Sequence, residues 1–407
     1  LHRLIRRQRQ MCIRDRYIGK LMIPLSVPHI EGNEWKYIKE CIDTEWVSSV
    51  GKYVDRFEKD ICELTGARAA VACVNGTAAL QVALQVIGVK ADDEVIVPTV
   101  TFISPTNAVR YLNASPIFMD CDDYYNIDAD KTIDFIKTQT IFKNDSTYNK
   151  SSGKRVPAII VVHVFGNAVN IFELIDICRE RNIKIIEDAA ESIGTYYCKN
   201  PLEHKYTGTV GEIGCYSFNG NKIITTGGGG MIVTNNSSYA QKAKYLTTQA
   251  KDDPVYYIHN EIGYNFRLTN VQAALGVAQL EKLKSYIEIK KRNYEFYKQE
   301  IDKIPGLKIA DVPDYAKSNY WFYCMQIDEG IYRRDRNELM KYLGEKDIQT
   351  RPVWYLNHLQ RPYKNYQNYK IEKAFDLLEK TLNIPCSVSI KKSEIEQVIE
   401  ALKSGAK

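Results

Sequence analysis

The sequence predicts an α/β fold, a mostly parallel sheet covered by helices on both faces, followed by a smaller C-terminal α/β unit. Three observations predict it. Helical and strand-like periods alternate from residue 33 to about residue 235. The strand candidates are short, near-continuous β-branched runs, as parallel strands buried on both faces require. After about residue 304 a second, shorter stretch of mixed strand and helix patterns follows. A length of 407 residues accommodates two or three domains with a large core.

Taken in order, apolar residues at helical spacing predict helices over 34–43, 53–64, 77–87 and 171–181. Between them, apolar runs bounded by polar or turn residues predict strands at 69–74 (AAVACV), 94–98 (EVIVP), 116–120 (PIFMD), 158–164 (AIIVVHV) and 183–188 (IKIIED). The Ser/Asn/Lys-rich stretch 143–157 reads as an exposed loop. One strand ends at Ser217, and four glycines lead into another. A single long helix is expected from Thr269, its N-cap, to about Ile304, stopped by Pro305-Gly306. A strand at 321–327 and helices at 333–346 and 392–403 complete the chain. The resulting division is a large unit over 22–278 and a small one over 279–407.

Composition narrows the function classes. With 44% hydrophobic and 26% charged residues the chain is neither disordered nor fibrous, and no run of about 18 apolar residues suggests a membrane span. The net charge of +5 is concentrated in residues 1–20, which hold six Arg and one Lys against Asp15; the remainder is close to neutral. Residues 1–21 read as a non-native or disordered basic extension, translated upstream, vector or adapter sequence, with Met22 a natural start. The rival reading is a basic arm for nucleic acid or anionic lipid. The ten cysteines are scattered singly, which suits reduced, buried thiols in a cytoplasmic protein. Neither they nor the six histidines show metal-ligand spacing.

The chemistry concentrates at strand ends, where ligands of parallel sheets bind. In GCYSFNGNKIITTGGGGMIVT (214–234) Lys222 follows Ser217 and precedes the glycines, which permit close backbone approach. By itself Lys222 reads as a solvated loop lysine before it reads as a nucleophile. In VNGTAAL (74–80) Asn75-Gly76-Thr77 lies between a buried strand and a helix start, where free amides and the helix dipole favour a phosphate; an ordinary turn is the equal alternative. IIEDAAES (185–192) ends a buried strand in Glu187 and Asp188, and a buried carboxylate requires a cationic partner such as a protonated pyridine nitrogen. An N-cap role for Asp188 is the plain alternative. In PTVTFISPTNAV (98–109), Phe102 could lie flat on an aromatic ligand or simply pack in the core. A phosphate cradle, a stacking ring, a buried carboxylate and a lysine together are the requirements of one cofactor, pyridoxal 5′-phosphate.

The ordered set NGTAAL, PTVTFISPTNAV, EDAAES, YSFNGNK, GGGGM and GYNFRLTNVQAALG resembles the DegT/StrS-type family of sugar aminotransferases, from about Ile23 to beyond residue 385. The resemblance implies the aspartate-aminotransferase-like (fold type I) architecture, with a mostly parallel seven-stranded sheet in the large domain. It implies Lys222 as the lysine bonded to the cofactor and Asp188 as the partner of its pyridine nitrogen. Phe102 stands where the family stacks a ring, and Gly76, Thr77 and Ser217 stand at its phosphate contacts. Asn265 matches a residue reaching the phosphate of a neighbouring subunit, which implies a homodimer with shared active sites. Glu191 stands where many members carry His or Gln near the cofactor's phenolic oxygen, a place where a carboxylate must be protonated or turned to another donor.

The implied reaction transfers an amino group from L-glutamate to a nucleotide-linked 4-keto-6-deoxy sugar, an N-acetylhexosamine of bacillosamine or legionaminic acid pathways. Candidate sugar contacts are Trp46, Tyr355 and His358, with packing roles the equal alternative; His163 reads either as a residue near the substrate or, the slightly favoured alternative, as a satisfied buried histidine. A sugar dehydratase of the same family is the nearest rival, but the members with that activity carry His in place of the lysine. A cysteine desulfurase finds no Cys in a mobile reactive loop. A cofactor-binding regulator would need a helix-turn-helix or a basic stripe, and the near-neutral body has neither.

Overall fold

The computed structural model describes residues 22–406, so the reading of residues 1–21 lies outside the described residues. The main sheet contains β1 (Ala69–Cys73), β2 (Glu94–Pro98), β3 (Ser115–Met119), β4 (Ala158–Val162), β5 (Lys184–Asp188), β6 (Ile213–Ser217) and β7 (Gly230–Thr234). After these seven come β8 (Leu307–Ile309), β9 (Tyr323–Ile327), β10 (Arg351–Pro352), β11 (Asn368–Tyr369) and β12 (Thr381–Ile384). The order across the main sheet is β1-β7-β6-β5-β4-β2-β3-β11. All pairings are parallel except those of β7, which runs antiparallel to β1 and β6. The expected seven strands are thus joined by a two-residue eighth at the edge, β11, contributed from beyond residue 300. The second sheet, β8-β9-β12-β10, is antiparallel.

Strand pleating explains the unbroken apolar runs. Val95 and Val97 of β2 face one core with Ile160 and Val162, whereas Ile96 faces the other with Ile159 and Val161. Helices α1 (Glu34–Asp43), α2 (Lys52–Thr65), α3 (Gly76–Val86) and α4 (Ser104–Tyr111) precede β3, and α5 (Ala129–Gln139), α6 (Phe172–Glu180) and α7 (Ser237–Thr247) follow it. A third cluster, built on Tyr297, Tyr323, Leu339, Ile384 and Val398, lies around the second sheet.

Three sequence expectations need correction. The expected long helix is two, α8 (Asn270–Leu280) and α9 (Leu283–Ile301). Thr269 does cap the first, in a box with Gln272. At the break, Glu281 is gripped by Asn33, Tyr37 and Arg56. Glu281 and Lys282 stay near right-handed helical angles, so the apolar periodicity runs on unbroken and does not signal the break. The stretch 143–157 is not simply an exposed loop, because Ser146–Asn149 pairs with Thr140–Lys143 as a hairpin. Its Thr147 and Asn149 are buried, Thr147 on the Arg181 carbonyl and Asn149 on Glu94 and Gln367. A polar composition concealed buried polar groups with partners. Finally, Ile23 and Leu25 pair with Asp347, Gln349 and Cys386 of the C-terminal sheet region, although the sequence reading grouped them with the first unit.

Among the described residues all nine cysteines are free thiols, and no helix is long and apolar enough to cross a membrane.

Candidate active site

Because β1, β2, β4, β5 and β6 run the same way, their carboxyl ends lie along one edge. That edge collects Asn75–Thr77, Thr99–Phe102, His163, Asp188–Glu191 and Ser217–Lys222. At the first of these, the Asn75 side chain accepts from the Ala78 amide at 2.8 Å and caps α3. Gly76 is pressed on Ser217: a Cβ at Gly76 would lie 2.9 Å from Ser217 Cβ. Gly230, opening β7, is held likewise, with Asn75 O only 2.4 Å from where its Cβ would be. The glycines therefore bring the start of α3 against the ends of β6 and β7. The hydroxyl of Thr77 donates to Ser104 Oγ at 2.9 Å, placing two hydroxyls beside the helix N-terminus, where amides and dipole favour an anion.

The two carboxylates ending β5 have different fates. Glu187 is fully buried and accepts from the amides of Gly208, Val210 and Gly211 at 2.8, 2.6 and 2.6 Å. His163, also fully buried, accepts the Val169 amide at Nδ1, so its Nε2 bears the hydrogen that Glu187 Oε2 accepts at 2.9 Å. His163 is thus a satisfied core histidine, and Glu187 a structural clasp for the turn before β6. Replacing Glu187 by Ala strands three amide donors and an imidazole, each worth roughly 1–3 kcal/mol when buried without a partner. Thermal denaturation of Glu187→Ala should show a loss of at least about 3 kcal/mol.

Asp188, one residue on, faces the other way. It is 4% exposed, and its Oδ1 accepts from the Ala190 amide at 3.0 Å. Burial pushes its carboxyl up to about 7, with the nearby Glu191 charge adding to the rise and Lys222 opposing it. Glu191 is also raised by burial, against the pull of Lys222 and of the Phe165 amide. It is turned toward two donors: Oε2 accepts from Phe165 N at 2.8 Å, and Oε1 lies 3.5 Å from Lys222 Nζ. Phe165 holds φ +57, an unusual angle for an aromatic residue, in the turn that aims this amide. The Lys222 ammonium also stands 4.1 Å from the centroid of the Trp321 ring.

The structure therefore brings Asp188, Glu191 and Lys222 together, and separately Gly76, Thr77 and Ser217. Phe102 is 53% exposed at the end of β2, an uncommon state for Phe, with its ring edge-on to Trp354 at 6.5 Å. Asn265 is exposed on the segment leading to α8. Trp46 is exposed as well, while its carbonyl accepts from Asn270. Tyr355 is exposed, whereas His358 is 7% exposed. His358 Nδ1 lies 2.7 Å from Thr99 Oγ1 and its ring packs against Phe118 and Phe375. Sequence reasoning missed Trp321, Phe165 and Ser104. Phe165 and Trp321 carry no local motif: Phe165 reaches Glu191 from 26 residues away, and Trp321 reaches Lys222 from a segment about 100 residues on. Ser104 adjoins Phe102 in the stretch already singled out.

These residues fit pyridoxal 5′-phosphate on grounds of their own chemistry. A buried carboxylate raised by desolvation is relieved by a cationic ring nitrogen. The amides at the start of α3 with the hydroxyls of Thr77, Ser104 and Ser217 suit a phosphate, and Lys222 suits an aldehyde.

Comparison with known proteins agrees. The sequence profile of the DegT/DnrJ/EryC1/StrS aminotransferase family matches residues 28–403. The chain belongs to that family. It is a pyridoxal-phosphate-dependent aminotransferase of fold type I. It is 35% identical to the GDP-perosamine synthase of Caulobacter vibrioides over 384 residues, 93% of this chain and 97% of that one. It is 34% identical to EpsN of Bacillus subtilis, named a putative pyridoxal phosphate-dependent aminotransferase, over 93% and 95% of the two chains. The crystal structure of the aminotransferase TlmJ from Streptoalloteichus hindustanus superposes with a TM-score of 0.83 at 24% identity, covering 95% of this chain and 99% of that one.

Proposed function

We propose that this sugar aminotransferase moves the amino group of L-glutamate to the keto carbon of a nucleotide-linked 4-keto-6-deoxy sugar. The observation that carries the reading is the convergence of Lys222, Asp188 and Glu191 at the strand ends beside the α3 cradle. Bound there, pyridoxal phosphate supplies an electron sink that stabilises a carbanion next to nitrogen. Lys222 would hold the cofactor at its aldehyde, and its amine would serve as the base that takes the α-proton of glutamate and gives a proton back to the keto carbon of the sugar. Asp188 would hold a proton on the ring nitrogen. Gly76, Thr77, Ser104 and Ser217 would hold the phosphate, and Phe102 would offer a ring to the cofactor.

Two sugar classes are supported. The motif resemblance favours an N-acetylhexosamine of the bacillosamine or legionaminic acid type, whereas two relatives at 35% and 34% identity are named GDP-perosamine synthases, which favours a GDP-linked sugar. Glutamate-dependent amination of GDP- and UDP-linked 4-keto-6-deoxyhexoses, with and without a 2-acetamido group, is followed by mass spectrometry. Transfer to one of these is the expected result, and failure with all four would remove the 4-keto-6-deoxy reading.

The same proposal includes a homodimer in which Asn265 of each chain completes its neighbour's phosphate site, with Trp46 and Tyr355 contacting sugar or base, a division after residue 278 with Ile23 and Leu25 packed on the second unit, and a cytoplasmic location. Support for the dimer comes from the exposed apolar side chains Val255, Tyr256, Tyr257 and Ile262, on the segment just before Asn265.

A further inference from the structure

Trp321 enters from the segment just before β9, far along the chain from the Lys222 turn, yet both its polar edge and its face are engaged by that turn. It is 2% exposed. Its Nε1–H donates to the carbonyl of Asn221 at 2.8 Å, and its ring face lies under the ammonium of Lys222, the next residue, at 4.1 Å. The indole is stacked on Phe322 at 4.1 Å and 25°.

Its backbone is tied to Glu191, the other group near that ammonium. The Trp321 amide donates to Asn319 Oδ1 at 3.0 Å, while Asn319 Nδ2 donates to the carbonyls of Glu191 and Ile193 at 2.9 and 3.0 Å. Gly166, at φ +91, admits this junction because a Cβ there would lie 2.0 Å from Asn319 Oδ1. A tryptophan that merely filled the core would need burial and a partner for its N–H. This one is anchored to the residue before the lysine, and to the loop that carries the lysine's carboxylate.

We propose that Trp321 is a positioning residue for Lys222, its ring face holding the ammonium beside Glu191 and its N–H fixing the turn on which the lysine stands. The inference rests on the reading of Lys222 as the reactive amine. A π face attracts an ammonium through its quadrupole and releases a neutral amine. A carboxylate alone would hold the charged amine more tightly. Trp321 therefore limits where the charged lysine goes while leaving the neutral amine free to move to the reacting carbon. Because the indole comes from the C-terminal part of the chain, it also ties the placement of that part to the lysine.

The test compares wild type, Trp321→Leu and Trp321→Phe in the full-length protein. Phe keeps a ring face and loses the N–H; Leu loses both. A cation–π contact of this kind corresponds to about 2- to 30-fold in an equilibrium. Two readouts are used. The first is the rate at which acetic anhydride acetylates Lys222 in the cofactor-free protein at fixed pH, quantified by mass spectrometry relative to the exposed Lys59. The second is kcat and KM for glutamate in the cofactor-loaded enzyme.

For Trp321→Leu the acetylation ratio should change by about 5-fold or more and kcat should fall by about 10-fold, with KM within about 3-fold of wild type. Trp321→Phe should recover most of both. Should Trp321→Leu not fold, Trp321→Met, which also lacks the ring, takes its place. An unchanged acetylation ratio in the ring-less variant overturns the proposal, even if activity falls, since that pattern marks ordinary packing. If wild type binds no pyridoxal phosphate through Lys222, the functional reading fails on its own, while the acetylation ratio still decides the positioning claim.

Discussion

Lys222→Ala should bind sugar nucleotide, stay folded and lose turnover by at least roughly 10⁴-fold. General base catalysis alone accounts for about 10²- to 10⁴-fold, and the same substitution removes the covalent tether that orients the cofactor. Little of the fold depends on this side chain. Its ammonium meets Glu191 at 3.5 Å and the Trp321 ring, so truncation leaves the hydrogen-bonded frame of Glu187, Asn319 and Gly166 intact. The cost to stability should be about 1–3 kcal/mol, from a buried Glu191 that has lost its counter-charge. Visible absorption checks the result directly: wild type reconstituted with pyridoxal phosphate should show a band that L-glutamate bleaches, and the variant should not. Turnover near that of wild type would remove the assignment of Lys222.

Asp188→Asn should give the second largest effect, and its sign reverses between activity and stability. For activity, the neutral amide cannot hold a proton on the ring nitrogen; losing a buried charge partner, roughly 3–5 kcal/mol, predicts a fall in kcat of about 10²- to 10⁴-fold. For the stability of the cofactor-free protein the expectation is opposite. Burial raises the Asp188 carboxyl from 3.8 to about 7, so between these values the folded state binds more protons than the unfolded one. Stability then falls as pH rises from about 4 to about 7, reaching a deficit of a few kcal/mol above pH 7. The amide of the Asp188→Asn variant does not titrate and carries no such deficit. In urea melts without cofactor, Asp188→Asn should exceed wild type in stability, by more at pH 8 than at pH 5, and pyridoxal phosphate should close the gap by supplying wild type with its cation. A gap that does not change with pH would show that Asp188 is not held in the raised state.

The two carboxylates that end β5 show how far sequence reasoning reaches. IIED announced a buried strand finishing in two acidic residues, and strand periodicity sets them on opposite faces. Which of them faces a ligand was not legible from the strand pattern, because the partners that neutralise Glu187 are the amides of Gly208, Val210 and Gly211 and the ring of His163. Those arrive from two separate loops. His358 makes the same point, since an aromatic-rich stretch signalled a site, and only the approach of Thr99 and Phe118 makes that histidine part of the core. Glu191 looked out of place beside a phenolate until Phe165, held at a positive φ, supplied an amide for it.

What the sequence determined by itself is local in origin. Continuous β-branched runs require strands buried on both faces, the NGT and Gly-tract positions require close backbone approach, and a lysine following a strand end stands at the edge where parallel sheets bind ligands. Tertiary structure alone decided what surrounds the lysine. The eighth strand, the break at Glu281, and the Trp321 face near Lys222 all come from pairings between distant segments. Nothing in the local period marks them, because the energy that fixes them belongs to contacts formed only when the chain closes on itself.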